Sequence, residues 1–146
     1  MRKTITVALG VAALAVPNVD AWAAATAPKT APKKKVVTVS RSFTGGLGDA
    51  GRWGQVQVTI VVKKTTTTVL KTRKKTVVRR IVSAKVPVYP DHTSRSIFIN
   101  EQALPYLVQE TLQAQSTSID MVSGATDTSE AFESSLQSAI IHAKAW

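Results

Sequence analysis

The chain has 146 residues, 19 Lys+Arg against 9 Asp+Glu for a formal net charge of +10, and no cysteine. That length fits one ordinary domain, since two halves would each be too small to bury a good core. Without cysteine there are no disulfides, thiolate nucleophiles, cysteine zinc sites or iron–sulfur clusters, and His92 and His142 stand 50 residues apart, far from any metal-ligand spacing.

Arg2 and Lys3 precede an uncharged stretch, Thr4 to Val16, rich in Ala, Val and Leu, and Ala21-Trp22-Ala23 follows with small residues at signal-peptidase spacing. Thirteen residues of helix reach only about 20 Å against roughly 30 Å of hydrocarbon, so the stretch reads as a signal peptide, 1–23, and not as a span. An uncleaved anchor or a buried helix are the alternatives. No cysteine follows Ala23, so there is no lipid anchor on an N-terminal cysteine. Export to the cell surface or extracytoplasmic space, with or without membrane association, is the expectation. Residues 24–35, which include Thr26-Ala-Pro-Lys-Thr-Ala-Pro-Lys-Lys-Lys35, lack large apolar side chains and read as a flexible basic linker. The domain proper is expected over 36–146.

Strand grammar begins at Val36-Val37-Thr38-Val39, and Gly45 to Gly51 reads as a loop. Val56, Val58, Ile60 and Val62 alternate with Gln57, Thr59, Val61 and Lys63, the pattern of a half-buried strand. Val78, Val82, Ala84, Val86 and Val88 resume alternation after a reversal at Thr72 to Lys75. Residues 54–88 therefore predict a long antiparallel hairpin whose far end is solvated and basic. Pro87 and Pro90 close it, and Tyr89 to Arg95 form a loop. From Lys29 to Lys85 there are 15 basic residues and one acid, whereas Val86 to Trp146 holds two bases and seven acids. Such asymmetry has two readings: contact with an anionic partner or surface, or a solvated face that keeps an exported protein soluble; the hairpin's Lys and Arg also guard exposed edges against aggregation.

Helical period follows. Leu104, Leu107, Val108, Thr111 and Leu112 share one face, and Pro105 predicts that this helix begins or bends near it. Phe132, Leu136, Ala139, Ile140 and Ala143 form a second stripe, with Asp127 and Glu130 at the spacing of an acidic capping box. Strands first and helices after predict an α+β domain: an antiparallel sheet with a long hairpin and two C-terminal helices on one face.

Between the helices lies Asp120-Met121-Val122-Ser123-Gly124-Ala125-Thr126-Asp127-Thr128-Ser129. Ser-Gly-Ala-Thr running into a helix start offers backbone N–H groups, hydroxyls and a positive dipole end that suit phosphate; an ordinary capped helix would carry the same residues. His92 has no implied partner for hydrolysis beyond Ser94 or Ser96, Glu101 and Glu110 make no glycosidase pair by spacing alone, and three scattered tryptophans make no stacking platform for nucleic acid.

Ser123-Gly124-Ala125-Thr126, preceded by Asp120 and followed by Thr128-Ser129, resembles the flavinylation motif of the FMN-binding domain family. That family includes the flavin subunits of sodium-pumping NADH:quinone oxidoreductase and of the related Rnf complex. The resemblance extends through Leu104, Glu110, Leu112, Ala114-Gln115-Ser116 and Ile119 upstream and Ala131, Ser135, Leu136 and Ala139 downstream, and more faintly to Gly51–Val56. It implies FMN as cofactor, joined through its phosphate to Thr126 by a flavin transferase that uses FAD and magnesium. Ser123, Gly124 and Ala125 would shape the loop with Thr128 and Ser129 beside it, and Asp120 would be recognised by the transferase. Asp127 departs from the pattern, placing a carboxylate beside an anion. Trp53, Tyr106, Met121 and Phe132 are the candidates to pack on the flavin ring or to be core. The resemblance further implies an electron-transfer carrier, not a complete enzyme, serving a membrane or extracytoplasmic redox partner and no specific nucleic acid. The alternative from charge is a cofactor-free basic module that binds cell-wall polymer or nucleic acid through residues 63–85.

Overall fold

The computed structural model describes residues 32–146; the signal peptide and most of the linker expected at 1–35 lie outside the described residues. Four strands precede two helices: β1 (Lys34–Thr44), β2 (Gly48–Asp49), β3 (Gln55–Val69), β4 (Lys75–Val88), α1 (Ser94–Ala114) and α2 (Thr126–Ala145). The domain is α+β, as the order of periodicities predicts.

β3 is the central strand. β1 and β2 pair antiparallel with its two ends along one edge, and β4 pairs antiparallel along the other. Its alternation is realised in full: Val56, Val58, Ile60 and Val62 are buried on one face, joined by Ile81 and Ala84 of β4. Against that face pack Leu104 and Leu107 of α1 and Phe132, Leu136, Ala139 and Ala143 of α2. Burial of these side chains contributes about 1.5–3 kcal/mol for each large one, so the core sits at one end of the sheet. The other end, where the far half of β3 is flanked by β1 on one edge and β4 on the other, projects as an arm whose β1 and β4 residues are exposed.

Several boundaries differ from the sequence reading. β1 starts at Lys34, not Val36, because Lys34 and Lys35 already pair with Val69 and Thr68. The reversal spans Leu70 to Lys74, earlier than 72–75, with Arg73 in the left-handed region at φ 52 and Val69 N–H donating to Lys74 O. The glycine-rich stretch is not wholly loop. Gly48 and Asp49 pair with Val56 and Gln55, and a 3-10 turn follows at Gly51–Trp53. Where β1 has ended and β2 has not begun, α2 supplies the missing partners: Ser135 Oγ accepts from Val58 N–H (2.8 Å) and donates to Gly46 O (2.6 Å). α2 lies so close that a Cβ on Gly48 would stand 1.9 Å from Ala131 O.

Pro105 neither starts nor ends α1, which begins at Ser94 with Thr93 as N-cap, its side chain accepting from Ser96 N–H. Proline removes one helical amide, a loss more easily borne here because Pro105 is exposed and water reaches the freed carbonyl. The acidic capping box is not formed either. α2 starts one residue earlier than Asp127, with Ala125 as N-cap and no side-chain cap bond. No helix among the described residues is long and apolar enough to cross a membrane.

Candidate functional site

The segment between the helices is pinned at both ends. Gln115 closes α1 in the left-handed region, and its side-chain amide then pairs with β4, Oε1 accepting from Ile81 N–H (2.8 Å) and Nε2 donating to Ile81 O (2.9 Å). At the other end, Ala125 N–H donates to Val122 O (3.0 Å), closing a turn over Ser123 and Gly124. Gly124 holds φ +83 with open space where a Cβ would stand, so the backbone angle, not crowding, calls for glycine there. Ser129 ties the turn to the helix: its Oγ donates to Ala125 O (2.9 Å) and accepts from Val122 N–H (3.2 Å).

α2 then begins at Thr126. Its first-turn amides have no intrahelical acceptors, and Ala125 offers no side-chain cap. Thr126 is exposed at this positive dipole end, whereas Thr128 and Ser129 are buried. The Thr128 hydroxyl donates to Asn100 Oδ1 (2.9 Å), and Asn100 Nδ2 donates to Pro90 O (2.8 Å), so a buried amide joins the two helices below the site. Asp120 is exposed on the loop, as are Ser123 and Gly124, while Ala125 is buried.

A pocket of about 140 Å³ opens over Thr126. Gly124 to Thr128 form one wall, the first turns of α1 with Arg95, Ser96 and Asn100 another, and Trp53 the third. Trp53 is held from three sides. Its indole Nε1 donates to Asp127 Oδ2 (2.9 Å), the Arg52 guanidinium lies 4.7 Å from the ring centroid, and its carbonyl accepts from His92 Nε2 (2.8 Å). His92 is thus a loop anchor, without a serine partner. Asp127, the departure in the motif, spends its carboxylate on the indole.

Four aromatic or sulfur side chains were candidates to face a flavin ring. Only Trp53 lines this pocket. Phe132 is fully buried in the core, and Tyr106 and Met121 are exposed elsewhere. Nothing in the local pattern of Arg95 distinguishes it from other basic residues; only the fold brings the start of α1 beside the start of α2.

The donor set suits a phosphate: uncapped helix amides and an exposed hydroxyl adjoin a pocket that Arg95 also lines, and the tight turn leaves room beside Gly124. At about 140 Å³ the pocket is smaller than the roughly 300–1,000 Å³ that encloses a whole small molecule, so it matches the phosphate end of a nucleotide with the rest outside. A model of the FMN-binding domain matches residues 51–141. The chain belongs to the FMN-binding domain family. FMN is accordingly its cofactor. A search of curated proteins gives no significant match. The family match takes in Trp53, β3, β4, α1, the motif and most of α2 of this FMN-binding domain, but neither β1 nor β2.

Proposed function

We propose that this FMN-binding domain carries FMN covalently on Thr126 and works outside the cytoplasm as an electron-transfer carrier. The observation that carries the reading is the exposed Thr126 hydroxyl at the uncapped start of α2, inside Ser123-Gly124-Ala125-Thr126. In the attachment step, the Thr126 Oγ would attack the FMN-side phosphorus of FAD. A new O–P bond forms, the diphosphate P–O bond breaks, AMP leaves and the hydroxyl proton is released. A flavin transferase with magnesium would supply the catalysis, reading Asp120 on the exposed loop.

Once joined, the phosphate group would sit where the amides of residues 126–128 donate and Arg95 balances its charge. The indole of Trp53, steadied by Asp127, gives an apolar wall beside it. FMN supplies the redox chemistry; the chain supplies position and field. An electron carrier of the kind found in the sodium-pumping oxidoreductase and Rnf flavin subunits is the family precedent. The N-terminal sequence supports export and cleavage after Ala23, with the mature domain reached through the basic linker. Its redox partner would then be a membrane or extracytoplasmic protein.

Co-expression with a flavin transferase in an exporting host tests this directly. The mature protein should have the mass of residues 24–146 plus FMN minus water, and should fluoresce on a denaturing gel. Thr126→Val should be dark and Thr126→Ser labelled. A wild-type chain that stays dark beside a labelled control flavoprotein would defeat covalent attachment, and a bright Thr126→Val would move the acceptor elsewhere.

A further inference from the structure

The arm is chemically unlike the rest of the domain. Pairing of Lys34 and Lys35 with Val69 and Thr68, of Thr68 with Lys75, and of Leu70 N–H with Lys33 O brings residues 33–35 and 71–75 together at its tip. These two short runs carry seven cations and no acid. No Lys or Arg makes a salt bridge among the described residues. In the middle of the tip stands Leu70, 54% exposed, and behind it Val36 and Val78 are 59% and 58% exposed on the arm's outer face. That face is set by register: Val36 shares a row with Thr67 and Thr76, and Thr38 with Thr65 and Val78.

Guarding of strand edges explains the charges along β1 and β4. It does not explain Lys71, Arg73 and Lys74, which lie in a turn with no edge to protect. Nor does it explain a large apolar side chain at the apex of the cationic cluster. A free polyanion would reward the charges but gain nothing from Leu70, and the arm from 63 to 80 has no aromatic side chain on which bases could stack. Cations ringed around a protruding leucine suit a surface that is anionic in its headgroups and apolar just beneath.

We propose that the arm's tip docks the domain end-on to an anionic phospholipid bilayer, with Leu70 entering the headgroup layer and residues 33–35 and 71–75 resting on lipid phosphates. The FMN pocket lies at the opposite end of β3, and the strand from Gln55 to Val69 spans roughly 45 Å. Docking through the tip therefore holds the pocket well clear of the bilayer and open to soluble partners. Residues 33–35 lie outside the span matched to the family, whereas Leu70 and residues 71–75 lie within it. The proposal does not depend on flavin attachment.

Co-sedimentation with phosphatidylcholine vesicles, with and without about one-third phosphatidylglycerol, tests it on the mature protein with or without flavin. Binding should require phosphatidylglycerol and weaken steeply as salt shortens the screening length. Replacing Lys71, Arg73, Lys74 and Lys75 together by Gln should weaken it about tenfold or more. Leu70→Ser should weaken it several-fold while leaving its salt dependence unchanged. Circular dichroism separates loss of binding from loss of fold, and Leu70→Ser, in an exposed turn, serves if the fourfold variant misfolds. Absence of binding to phosphatidylglycerol vesicles overturns the proposal. So does an unaltered affinity in Leu70→Ser combined with equal binding to soluble poly(glycerol phosphate), which would assign the arm to a polymer.

Discussion

The indole Nε1 of Trp53 donates to Asp127 Oδ2 at 2.9 Å, joining residues 74 apart in sequence. One end of this bond is the 3-10 turn that follows β2, and the other is the first turn of α2, so it ties together two walls of the pocket over Thr126. It also settles the odd residue of the motif. A carboxylate next to Thr126 would repel a phosphate bound there, but here one of its oxygens accepts from the indole N–H while its charge still favours the helix dipole.

Asp127→Ala should therefore loosen the indole without emptying the core. The expected loss of stability is about 1 kcal/mol, because the bond is solvent-accessible. In a chain whose other tryptophans are replaced by phenylalanine, Trp53 emission should shift to the red. Asp127→Asn keeps an acceptor and should stay near the wild-type spectrum. An unchanged spectrum in Asp127→Ala would mean that Arg52 and the pocket wall alone hold the ring.

Asn100 and Thr128 predict a larger effect. Asn100 is 2% exposed and Thr128 6%, and their mutual bond leaves no buried side-chain polar atom unpaired among the described residues. Thr128→Val strips the donor from Asn100 Oδ1 and should cost about 1–3 kcal/mol in chemical denaturation, with Thr128→Ser close to wild type. Thr128→Val losing no stability would mean that water replaces the hydroxyl. Thr128 and Ser129 both serve the frame of the loop, which makes either one a poor silent control in a labelling experiment.

What could be read from sequence follows from what the core demands. Val56, Val58, Ile60 and Val62 alternate because one face of β3 is covered, and Phe132, Leu136, Ala139 and Ala143 recur at helical spacing because α2 covers it. The turn over Ser123 and Gly124 is legible from its glycine, whereas Thr126 is singled out by the resemblance of its motif and not by local pattern. The start of α2 was misread because capping rules favour acids and hydroxyls, whereas Asp127 is taken by a tryptophan 74 residues away and Ala125 caps with nothing. Ser135 looked like one small residue on a helix, yet it completes the edge of β3 at Val58. Such roles are set by tertiary approach and leave no local signal. Arg95 belongs to the same class.

Arg95→Gln should separate charge from scaffold. Arg95 is exposed and lines the pocket without a hydrogen bond to the frame among the described residues, so stability should change little. If it balances the phosphate on Thr126, initial rates of flavin labelling by the transferase should fall about tenfold, the equivalent of 1.4 kcal/mol in the step. Arg95→Lys should recover part of that rate, since it restores the charge and not the planar fork. Unaltered labelling in Arg95→Gln would assign the balancing charge to the helix amides alone.

Two neighbouring glycines offer a sharper test of how α2 is seated. At Gly48 an added Cβ would meet Ala131 O at 1.9 Å and Ala131 C at 2.6 Å, backbone atoms that cannot turn aside. At Gly46 the nearest contact is Ser138 Oγ at 3.7 Å, an ordinary van der Waals distance. Gly48→Ala must push α2 off the sheet near Phe132 and should cost about 2 kcal/mol or more, by the same reasoning as overpacking. Gly46→Ala should lie within about 0.5 kcal/mol of wild type. Because α2 also carries Thr126 and Asp127 to the pocket, Gly48→Ala should weaken the hold on Trp53 as well, seen as the same red shift as Asp127→Ala. Equal stabilities for the two alanine variants would show that β2 yields instead of the helix, and an unshifted Trp53 in an unstable Gly48→Ala would confine the damage to the sheet end of α2.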